Sequence, residues 1–354
     1  MSDIIINKTK NPKPIPNPDN LGFGEFFSDH MFSMDYDKEG WHSPTISEYS
    51  PIQIHPSAMV LHYGQSVFEG MKAYKNGEKV YLFRPEKNFE RLNASNKRMC
   101  IPEIPINTAL ESLKKLIMLD KQWIPQKHGT SLYIRPFVFA LDPFLGVRPS
   151  NSYKFMFLTS PVGSYYPEGI NPVKIYVEEN YVRAVRGGVG FAKTIGNYAA
   201  SMKAQMESKN KGYSQVLWLD AIERKYIEEV GTMNVFFVIG DEIITPTLDS
   251  GSILPGITRD SSINLLKHWG YKVTERKLAI SEVYEAYKDG KLKEAFGTGT
   301  AAVVSPIGEL AYNKEKLIIN DMKTGPIAEK LYSSITSMQY GKGEDPFGWV
   351  QEIK

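Results

Sequence analysis

Apolar residues in this chain form two kinds of pattern, short strand-like runs and helix-like spacings. Runs rich in β-branched and aromatic residues predict strands at 80–84, 132–141, 153–158 and 173–177. Thr108-Ala109-Leu110-Glu111 has the form of a capping box, and the apolar spacing that follows predicts a helix starting there. A second helix is predicted where Phe89, Leu92 and Met99 recur.

The second half of the chain repeats this mixture. Tyr198, Met202 and Met206 recur at four-residue spacing and predict a helix from Asn197 that ends by Gly212. The remaining elements predicted here are strands at 216–219 and 234–239 and helices at 258–269 and 282–288. Helices and strands do not alternate regularly enough to require a parallel doubly wound sheet. The pattern therefore predicts an α/β (α+β) protein with mixed sheets.

The predicted domain organisation follows from length and from turn-forming residues. A chain of 354 residues exceeds the usual size of a single core, so two domains are expected. Residues 7–20 are rich in proline and predict an extended N-terminal arm. Residues 163–172 are rich in Gly and Pro and predict an interdomain connection. The expected domains are thus 1–162, small and N-terminal, and 173–354, larger and C-terminal.

Composition restricts the function classes. Lys and Arg number 42 against 40 Asp and Glu, which argues against a nucleic-acid or membrane-surface partner. The single cysteine, Cys100, excludes an internal disulfide and suits a reducing compartment, and its apolar neighbours predict a buried thiol. The N-terminus has neither a signal-peptide pattern nor the arginines of a mitochondrial transit peptide. We therefore expect a cytoplasmic enzyme, with no metal site indicated.

Two segments suggest covalent chemistry. Lys193 lies among small residues in Gly-Phe-Ala-Lys-Thr-Ile-Gly-Asn-Tyr, where its amine could attack a carbonyl carbon and form a Schiff base. Glu228 and Glu229 precede Val-Gly-Thr-Met-Asn, where one carboxylate could keep a pyridine nitrogen protonated. Either segment alone is more typical of a solvated surface charge. Their combination favours a pyridoxal-type cofactor.

Several motifs occur in an order and spacing that resembles a known family. They are Leu-His-Tyr-Gly-Gln-Ser-Val-Phe-Glu-Gly-Met-Lys-Ala-Tyr from Leu61, Phe-Arg-Pro from Phe83, Leu-Tyr-Ile-Arg-Pro from Leu132, the two segments above, Leu-Pro-Gly-Ile-Thr-Arg-Asp from Leu254, and Phe-Gly-Thr-Gly-Thr-Ala-Ala from Phe296. Together they resemble the branched-chain amino acid aminotransferases, pyridoxal-phosphate (PLP) enzymes of fold type IV. The resemblance implies two mixed-sheet α/β domains with the active site between them and beneath the connection that contains Tyr165 and Tyr166.

The resemblance also implies the roles of individual residues toward PLP. Lys193 would hold the cofactor and move the proton during turnover, and Glu229 would face the pyridine nitrogen. The other cofactor-binding positions implied are Arg91, Tyr198, Ile257, Thr258 and Thr300. Ile257 and Thr258 follow Gly256 at a predicted helix start, where free backbone N–H groups suit a phosphate. An ordinary helix cap is the alternative interpretation of these positions.

On the substrate side the resemblance implies a pocket formed by Tyr63, Phe68, Gly70, Tyr133, Arg135, Thr300 and Ala301. Some of these would reach over from a partner subunit, so a homodimer is expected. The reaction implied exchanges the amino group between L-leucine, L-isoleucine or L-valine and 2-oxoglutarate by a ping-pong mechanism.

Alternatives and departures remain. The same fold and cofactor would also serve a D-amino acid aminotransferase or an aminodeoxychorismate lyase, and a non-catalytic module that binds a phosphorylated ligand would need only the Gly/Thr turns. Ile195 stands where the family commonly has the first glycine of Gly-Gly-Asn-Tyr. Ala302 and Ser305 stand where the animal branch has a Cys-x-x-Cys redox pair.

Overall fold

The fold consists of two compact units, and each is built from more than one stretch of the chain. The structure is a computed structural model that describes residues 3–163 and 170–354. The first unit contains the described residues up to 163 together with Ala192–Ile195 and Ser337–Lys354, and the second contains 170–191 and Gly196–Thr336. The sequence predicts that everything after residue 172 belongs to the C-terminal domain. Two stretches of that region lie in the first unit instead.

The first unit contains most of the N-terminal strands and three helices. Its strands are β1 (Ile5–Ile6), β2 (His30–Asp37), β3 (Gly40–Glu48), β4 (Ser66–Phe68), β5 (Met71–Asn76), β6 (Lys79–Phe83), β7 (Ser131–Ala140) and β8 (Tyr153–Val162). Its helices are α1 (Met59–Tyr63), α2 (Pro85–Arg98) and α3 (Ile106–Leu119).

The second unit contains the other helices and the next nine strands. Its strands are β9 (Val173–Val177), β10 (Gln215–Leu219), β11 (Ile227–Val230), β12 (Met233–Ile239), β13 (Glu242–Thr245), β14 (Lys272–Glu275), β15 (Leu292–Gly299), β16 (Val303–Tyr312) and β17 (Glu315–Ile318). The helices that follow along the chain are α4 (Ile195–Asn210), α5 (Ile257–His268), α6 (Ile280–Lys288) and α7 (Pro326–Gln339). The last strand, β18 (Val350–Ile353), belongs to the first unit.

A mixed nine-stranded sheet forms the first unit. Its order is β1-β3-β2-β8-β7-β5-β6-β18, with β4 paired to β7, and only the β1–β3 pair among these is parallel. The helices α2 and α3 pack against it over a core that includes Phe89, Leu92, Leu113, Phe155 and Phe157. The antiparallel β7–β8 ladder, ten residue pairs long, is the central support of this sheet.

The second sheet closes on itself. Strands β11, β10, β9, β16, β15 and β12 pair in that order, and β12 also pairs with β11, so the pairings form a ring of six strands. Pairs β9–β10, β9–β16 and β13–β14 are parallel and the rest are antiparallel. The apolar cluster of this unit includes Ile175, Leu217, Val235 and Phe237. Both sheets are mixed, which confirms the predicted fold class.

Two helix predictions need correction. Helix α3 begins at Ile106 rather than at Thr108, and Pro105 precedes it with no side-chain cap, so the predicted capping box does not form. The proline fixes a conformation suited to a helix start two residues earlier. Helix α4 lies where expected, but Met202 and Met206 are 66% and 52% exposed.

The buried face of α4 is made of small residues instead. Asn197, Ser201, Ala204 and Ser208 are its buried positions, and Ala204 packs in a cluster with Val216 and Trp218. Small side chains allow the helix backbone to approach the large Trp218 closely. The methionine stripe recurs every four residues and the buried residues every three or four, so helical spacing alone could not distinguish the two faces.

The sequence predicts a buried Cys100, and this prediction is wrong. The residue is exposed, and its φ of 54° places it in the left-handed region after the end of α2. The sharp turn directs the chain from the helix to Ile101, which enters the core, while the thiol stays outside. No helix in the described part of the chain is long and apolar enough to cross a membrane.

Candidate active site

The backbone around Lys193 is fixed on both sides by hydrogen bonds within the first unit. The Lys193 N–H donates to Ser95 Oγ at 2.9 Å, and its carbonyl accepts from the Phe68 N–H at 3.0 Å. Next to it, Thr194 forms a bridge with Val67, and its hydroxyl donates to the Ser66 carbonyl at 2.9 Å. The segment 192–195 thus attaches to β4 and α2, and the Lys193 Nζ lies 4.8 Å from the ring centroid of Phe68.

Beside this segment, Arg91 forms a buried ion pair with Glu69. Arg91 Nε donates to Glu69 Oε1 at 2.7 Å, and an Nη donates to Oε2 at 2.9 Å. Asn88 Nδ2 donates to the same Oε2 at 2.8 Å. Burial would raise the pKa of Glu69, but the Arg91 guanidinium, with smaller contributions from Lys193 and Asn88, holds this pKa below its ordinary value. The bidentate pair fixes the orientation of the guanidinium.

Four of the predicted substrate residues lie together in the first unit. An Nη of Arg135 donates to the Tyr133 hydroxyl at 3.0 Å, and Arg135 Cζ lies 4.6 Å from the ring centroid of Phe68. A Cβ at Gly70 would collide with the Tyr133 hydroxyl, so only glycine fits there. Lys72 on β5 is the register partner of Tyr133, and burial lowers the pKa of Lys72 to about 8.

Tyr63 is placed differently from these four. It ends α1, is 41% exposed, and its hydroxyl donates to the carbonyl of Leu145. None of its described contacts joins it to Phe68, Tyr133 or Arg135. The apolar residues exposed on the same unit include Leu61, Leu145 and Val147.

In the second unit, Glu229 occupies a buried cluster that we call the carboxylate cluster: Arg183, Glu228, Glu229, Ser252 and Leu254. Glu229 Oε1 accepts from the Leu254 N–H at 2.8 Å and lies 3.3 Å from an Nη of Arg183. Ser252 Oγ contacts Glu228 Oε1, and the Ser252 carbonyl accepts from Arg183. Both carboxylates are less than 5% exposed.

A polar row crosses three strands at this point. Glu229 on β11 pairs with Asn234 on β12, which pairs with Thr298 on β15, so the three side chains point to the same face of the sheet. Asn234 Nδ2 donates to the Leu254 carbonyl at 2.9 Å. Thr298 Oγ1 is buried and has no hydrogen-bond partner among the described residues.

The predicted phosphate-binding residues begin α5, adjacent to this row. The N-cap is Gly256, and no side chain of the described residues caps the helix there. Ile257 and Thr258 therefore present the backbone amides of the first turn, where the helix dipole is positive. The Asn234 side chain occupies the space that a Cβ at Gly256 would need, which brings the helix start close to the polar row.

Thr300 and Ala301 lie in the turn that joins β15 to β16, both half-buried. The turn ends at Val303, whose φ of 63° is strained for a β-branched residue. Tyr198 is half-buried on the first turn of α4. The two connection tyrosines, Tyr165 and Tyr166, lie outside the described residues.

Sequence reasoning missed several members of these clusters. Arg183 is far in sequence from Glu229 and follows no motif, so nothing indicated their contact. Glu69 and Asn234 stand inside recognised motifs but were assigned no role, and Thr298 was considered only as part of a Gly/Thr turn suited to an oxyanion. Their signal was available, since each is a polar residue within an apolar strand pattern. Among the described residues, no group of three or more His, Cys, Asp or Glu side chains could hold a metal ion.

Comparison with known proteins shows where this chain belongs. Residues 66–310 match the family described as Amino-transferase class IV. The chain is 60% identical over 352 residues, which is 99% of its length and 97% of the relative's, to branched-chain-amino-acid aminotransferase 2 of Bacillus subtilis. The Escherichia coli branched-chain amino acid aminotransferase structure superposes with a TM-score of 0.77 at 27% identity, covering 92% of this chain and 99% of that one.

A further similar structure, that of a T.th. branched-chain amino acid aminotransferase with pyridoxamine 5′-phosphate, has a TM-score of 0.75 at 27% identity and covers 91% of this chain and 98% of that one. The chain belongs to the class IV aminotransferases, which have fold type IV. Enzymes of this class use PLP, so PLP is its cofactor and amino-group transfer is its reaction.

Proposed function

We propose that this aminotransferase exchanges the amino group between L-leucine, L-isoleucine or L-valine and 2-oxoglutarate. The products are the branched-chain 2-oxo acids and L-glutamate. High identity over nearly the full chain to a protein named for branched-chain amino acids supports the substrate class. The observation that carries the proposal is Lys193, whose backbone is held by Ser95 and Phe68 while its amine remains on a side chain next to an aromatic ring.

The donor groups fit the chemical parts of the cofactor. The Lys193 amine suits its aldehyde, the buried Glu229 carboxylate suits its pyridine nitrogen, and the uncapped amides of Ile257 and Thr258 suit its phosphate. Thr298 adds a buried hydroxyl without a partner among the described residues. We assign Arg91, Tyr198 and Thr300 to the cofactor as well, because their motif positions match the family.

PLP, when bound, supplies a ring that accepts the electron pair left when a substrate loses its α-proton. The Lys193 amine would hold the cofactor and would move that proton to and from the substrate α-carbon. Glu229 would hold a proton at the pyridine nitrogen, and Arg183, 3.3 Å from Glu229 Oε1, favours the charged carboxylate. The bidentate pair with Glu69 fixes the Arg91 guanidinium in one orientation, in which it could bind an anion.

The substrate would be bound by residues of both aromatic and polar character. Phe68 and Tyr133 offer apolar surface for a branched side chain, and Gly70, which has no Cβ, lets the Tyr133 side chain approach the backbone closely. Arg135 offers a cation for a substrate carboxylate, and the backbone amides of Thr300 and Ala301 offer a second site for one.

Reduction with borohydride followed by peptide mapping tests the assignment of Lys193. The reduced enzyme is expected to carry a phosphopyridoxyl group on the peptide that contains Lys193 and on no other. The Lys193→Ala variant is expected to bind PLP without covalent attachment and to lose nearly all turnover. Lys72→Ala serves as the matched comparison, because it also removes a buried lysine of the same unit. Labelling of Lys72 in the wild type would overturn the assignment.

We also propose that the enzyme is a cytoplasmic homodimer. The exposed Tyr63 with Leu61, Leu145 and Val147 supports a subunit interface, because a monomer would leave these apolar side chains in water. The single exposed thiol of Cys100 suits a reducing compartment. Light scattering of the purified protein tests the dimer: the mass of one chain, 40.0 kDa, would exclude it.

A further inference from the structure

The carboxylate cluster contains two adjacent glutamates and a single guanidinium. Glu229 has the better environment for a negative charge, because it accepts the Leu254 N–H and faces Arg183. Glu228 has neither of these contacts. Its Oε1 meets the Ser252 hydroxyl, and its Oε2 is buried with no hydrogen-bond partner among the described residues. The two neighbours thus differ sharply in how well they can hold a charge.

The hydrogen bonds around Glu228 supply little stabilisation for a charge on this carboxyl group. Ser252 Oγ touches both Glu228 Oε1 and Ser250 Oγ, the latter at 2.8 Å. A serine hydroxyl has one hydrogen to donate and can accept others. The Ser252 hydroxyl donates this hydrogen to Glu228 Oε1, and Ser250 can donate in turn to Ser252. Among the described residues, this hydroxyl is the one donor that reaches the Glu228 carboxyl group, which is too few to stabilise a buried charge.

The charge balance leads to the same assignment. With Glu228 neutral, the buried cluster has one negative charge on Glu229 and one positive charge on Arg183. With Glu228 ionised, it would carry an uncompensated negative charge, which is costly in a low-dielectric interior. We propose that Glu228 is a neutral, protonated positioning residue that holds Ser252, and through the Ser252 carbonyl holds Arg183, so that Glu229 alone carries the charge.

The electrostatics of the neighbouring elements support this proposal. Burial raises the pKa of Glu228 to about 7, against the opposing effects of the Ser252 hydrogen bond and the Arg183 charge. Glu229, beside it on β11, and Asp220, after β10, raise this pKa further. The folded state therefore binds this proton more tightly than the unfolded chain, whose glutamate has an ordinary pKa near 4.5. Folding stability from this group is lost as the pH rises between those two values.

Stability measured with and without the carboxyl group tests the protonation. Glu228→Gln retains the shape and the donor of a neutral acid but cannot ionise. The urea midpoint of this variant is expected to match the wild type at about pH 5 and to exceed it at about pH 8. Glu223→Gln, at an exposed position of the turn between β10 and β11, is the control and should show no such pH-dependent difference. The proposal would be overturned if the urea midpoint of Glu228→Gln differed from that of the wild type by the same amount at both pH values.

An infrared spectrum provides a second measurement that does not depend on urea or activity. At about pH 6, the wild type should show the carbonyl stretch of a protonated carboxylic acid, and Glu228→Gln should lose this band. Ser252→Ala leaves the Glu228 carboxyl group in place but removes the hydroxyl that contacts it, so this variant should shift the same band. A wild-type spectrum unaltered by either substitution would mean that Glu228 is ionised.

The positioning role rests on the proposed function of Glu229 toward PLP and has its own readout. Glu228→Gln should bind PLP within about threefold of the wild type, because the neutral form is preserved. A large loss of affinity in Glu228→Gln would show that the charge of Glu228 is needed, which overturns the proposal. Because stability and the infrared band are measured on the full chain without cofactor, failure of the role of Glu229 would leave those two results unaffected.

Discussion

The Arg91–Glu69 pair fixes the orientation of a guanidinium that we assign to the PLP phosphate. Glu69 is fully buried, and it fixes two of the guanidinium nitrogens of Arg91. Glu69 partly neutralises the positive charge of Arg91. A phosphate bound by Arg91 would therefore have less charge left to neutralise than one bound by an isolated guanidinium. Asn88 and the Gly70 N–H complete the acceptor side of Glu69.

Replacement of Arg91 by alanine should weaken PLP binding. One charged hydrogen bond to the phosphate would be lost, at a cost of about 1.5–3 kcal/mol. Titration of the apoenzyme with PLP measures the change. Arg98→Ala, at an exposed position of the same helix, is the control and should leave the affinity as it is. Unchanged affinity in Arg91→Ala would place Arg91 outside the cofactor site.

Glu229 should be essential to the chemical step rather than to cofactor retention. A neutral amide in Glu229→Gln cannot hold the ring nitrogen protonated, so α-proton removal should slow by about two orders of magnitude or more. Stopped-flow absorbance after mixing the PLP-loaded enzyme with L-leucine measures this single turnover. Wild-type rates in the variant would remove Glu229 from the mechanism.

At the scale of single residues, motifs predicted candidate groups for the chemistry but not the residues that contact them. Lys193, Glu229 and the amides after Gly256 are marked by their neighbours in sequence. Arg183 and Ser252 lie in turns far from Glu228 and Glu229 along the chain, and only folding brings them together. The protonation state of a buried carboxyl group depends on such partners, so local sequence could not indicate it.

At the scale of secondary structure, the start of α7 depends on a side chain from a strand. Glu294 on β15 accepts the N–H groups of Ile327 and Ala328 at 3.1 and 3.0 Å. These amides belong to the first turn of α7, which would otherwise lack partners for them. Burial raises the pKa of Glu294, although both amide hydrogen bonds oppose this change. The side chain thus joins the helix to the sheet.

Loss of this side chain should lower the free energy of unfolding. Glu294→Ala leaves one buried and one partly buried amide without their acceptor, at a cost of about 2 kcal/mol. Because the folded pKa is raised, the stability from the carboxyl group is complete below the ordinary value and falls as the pH rises through the folded pKa. The cost of the substitution should therefore be larger below the ordinary glutamate pKa than above the raised pKa of the folded state. Urea unfolding measures it, with the exposed Glu285→Ala of α6 as a control of little effect.

Strands with a clear apolar run could be predicted from the sequence. The buried face of a helix could not, where it depends on the residues that pack against it. The strands β7, β8, β9 and β12 lie where their apolar runs predicted them. On α4, the methionines and the small residues recur at similar helical spacings, and the small-residue face is the buried one, where Ala204 packs with Val216 and Trp218. Ile195, which replaces a common glycine, starts this helix at a position that is 37% exposed, so its larger side chain is accommodated.

At the scale of the whole molecule, neither compact unit is one continuous piece of chain. The strand β18 pairs with β6 in antiparallel register and completes an edge of the first sheet. Ile353 contributes to the apolar core of that unit, and Tyr340 packs edge-on against Tyr74. No local signal in the sequence connects residues so far apart, so the return of the chain to the first unit could not be predicted.

Truncation of Ile353 should destabilise the first unit. Ile353→Ala removes buried apolar volume at the edge of the core, at a cost of about 2 kcal/mol. Glu352→Ala is the matched control, because it removes only a half-exposed ion pair with Lys79 and should cost less than about 1 kcal/mol. Thermal unfolding followed by circular dichroism compares them. Equal melting temperatures for the two variants would show that β18 adds no stability.

The late return of β18 also affects how the protein is made. A ribosome releases β6 long before β18, and the delay at ordinary rates of elongation is on the order of tens of seconds. During that time, the edge of β6 is an unpaired strand, a surface prone to join with another nascent chain. Folding of the N-terminal sheet is therefore finished only after the second unit has been synthesised, and chaperone binding to the growing chain would be most useful in this interval.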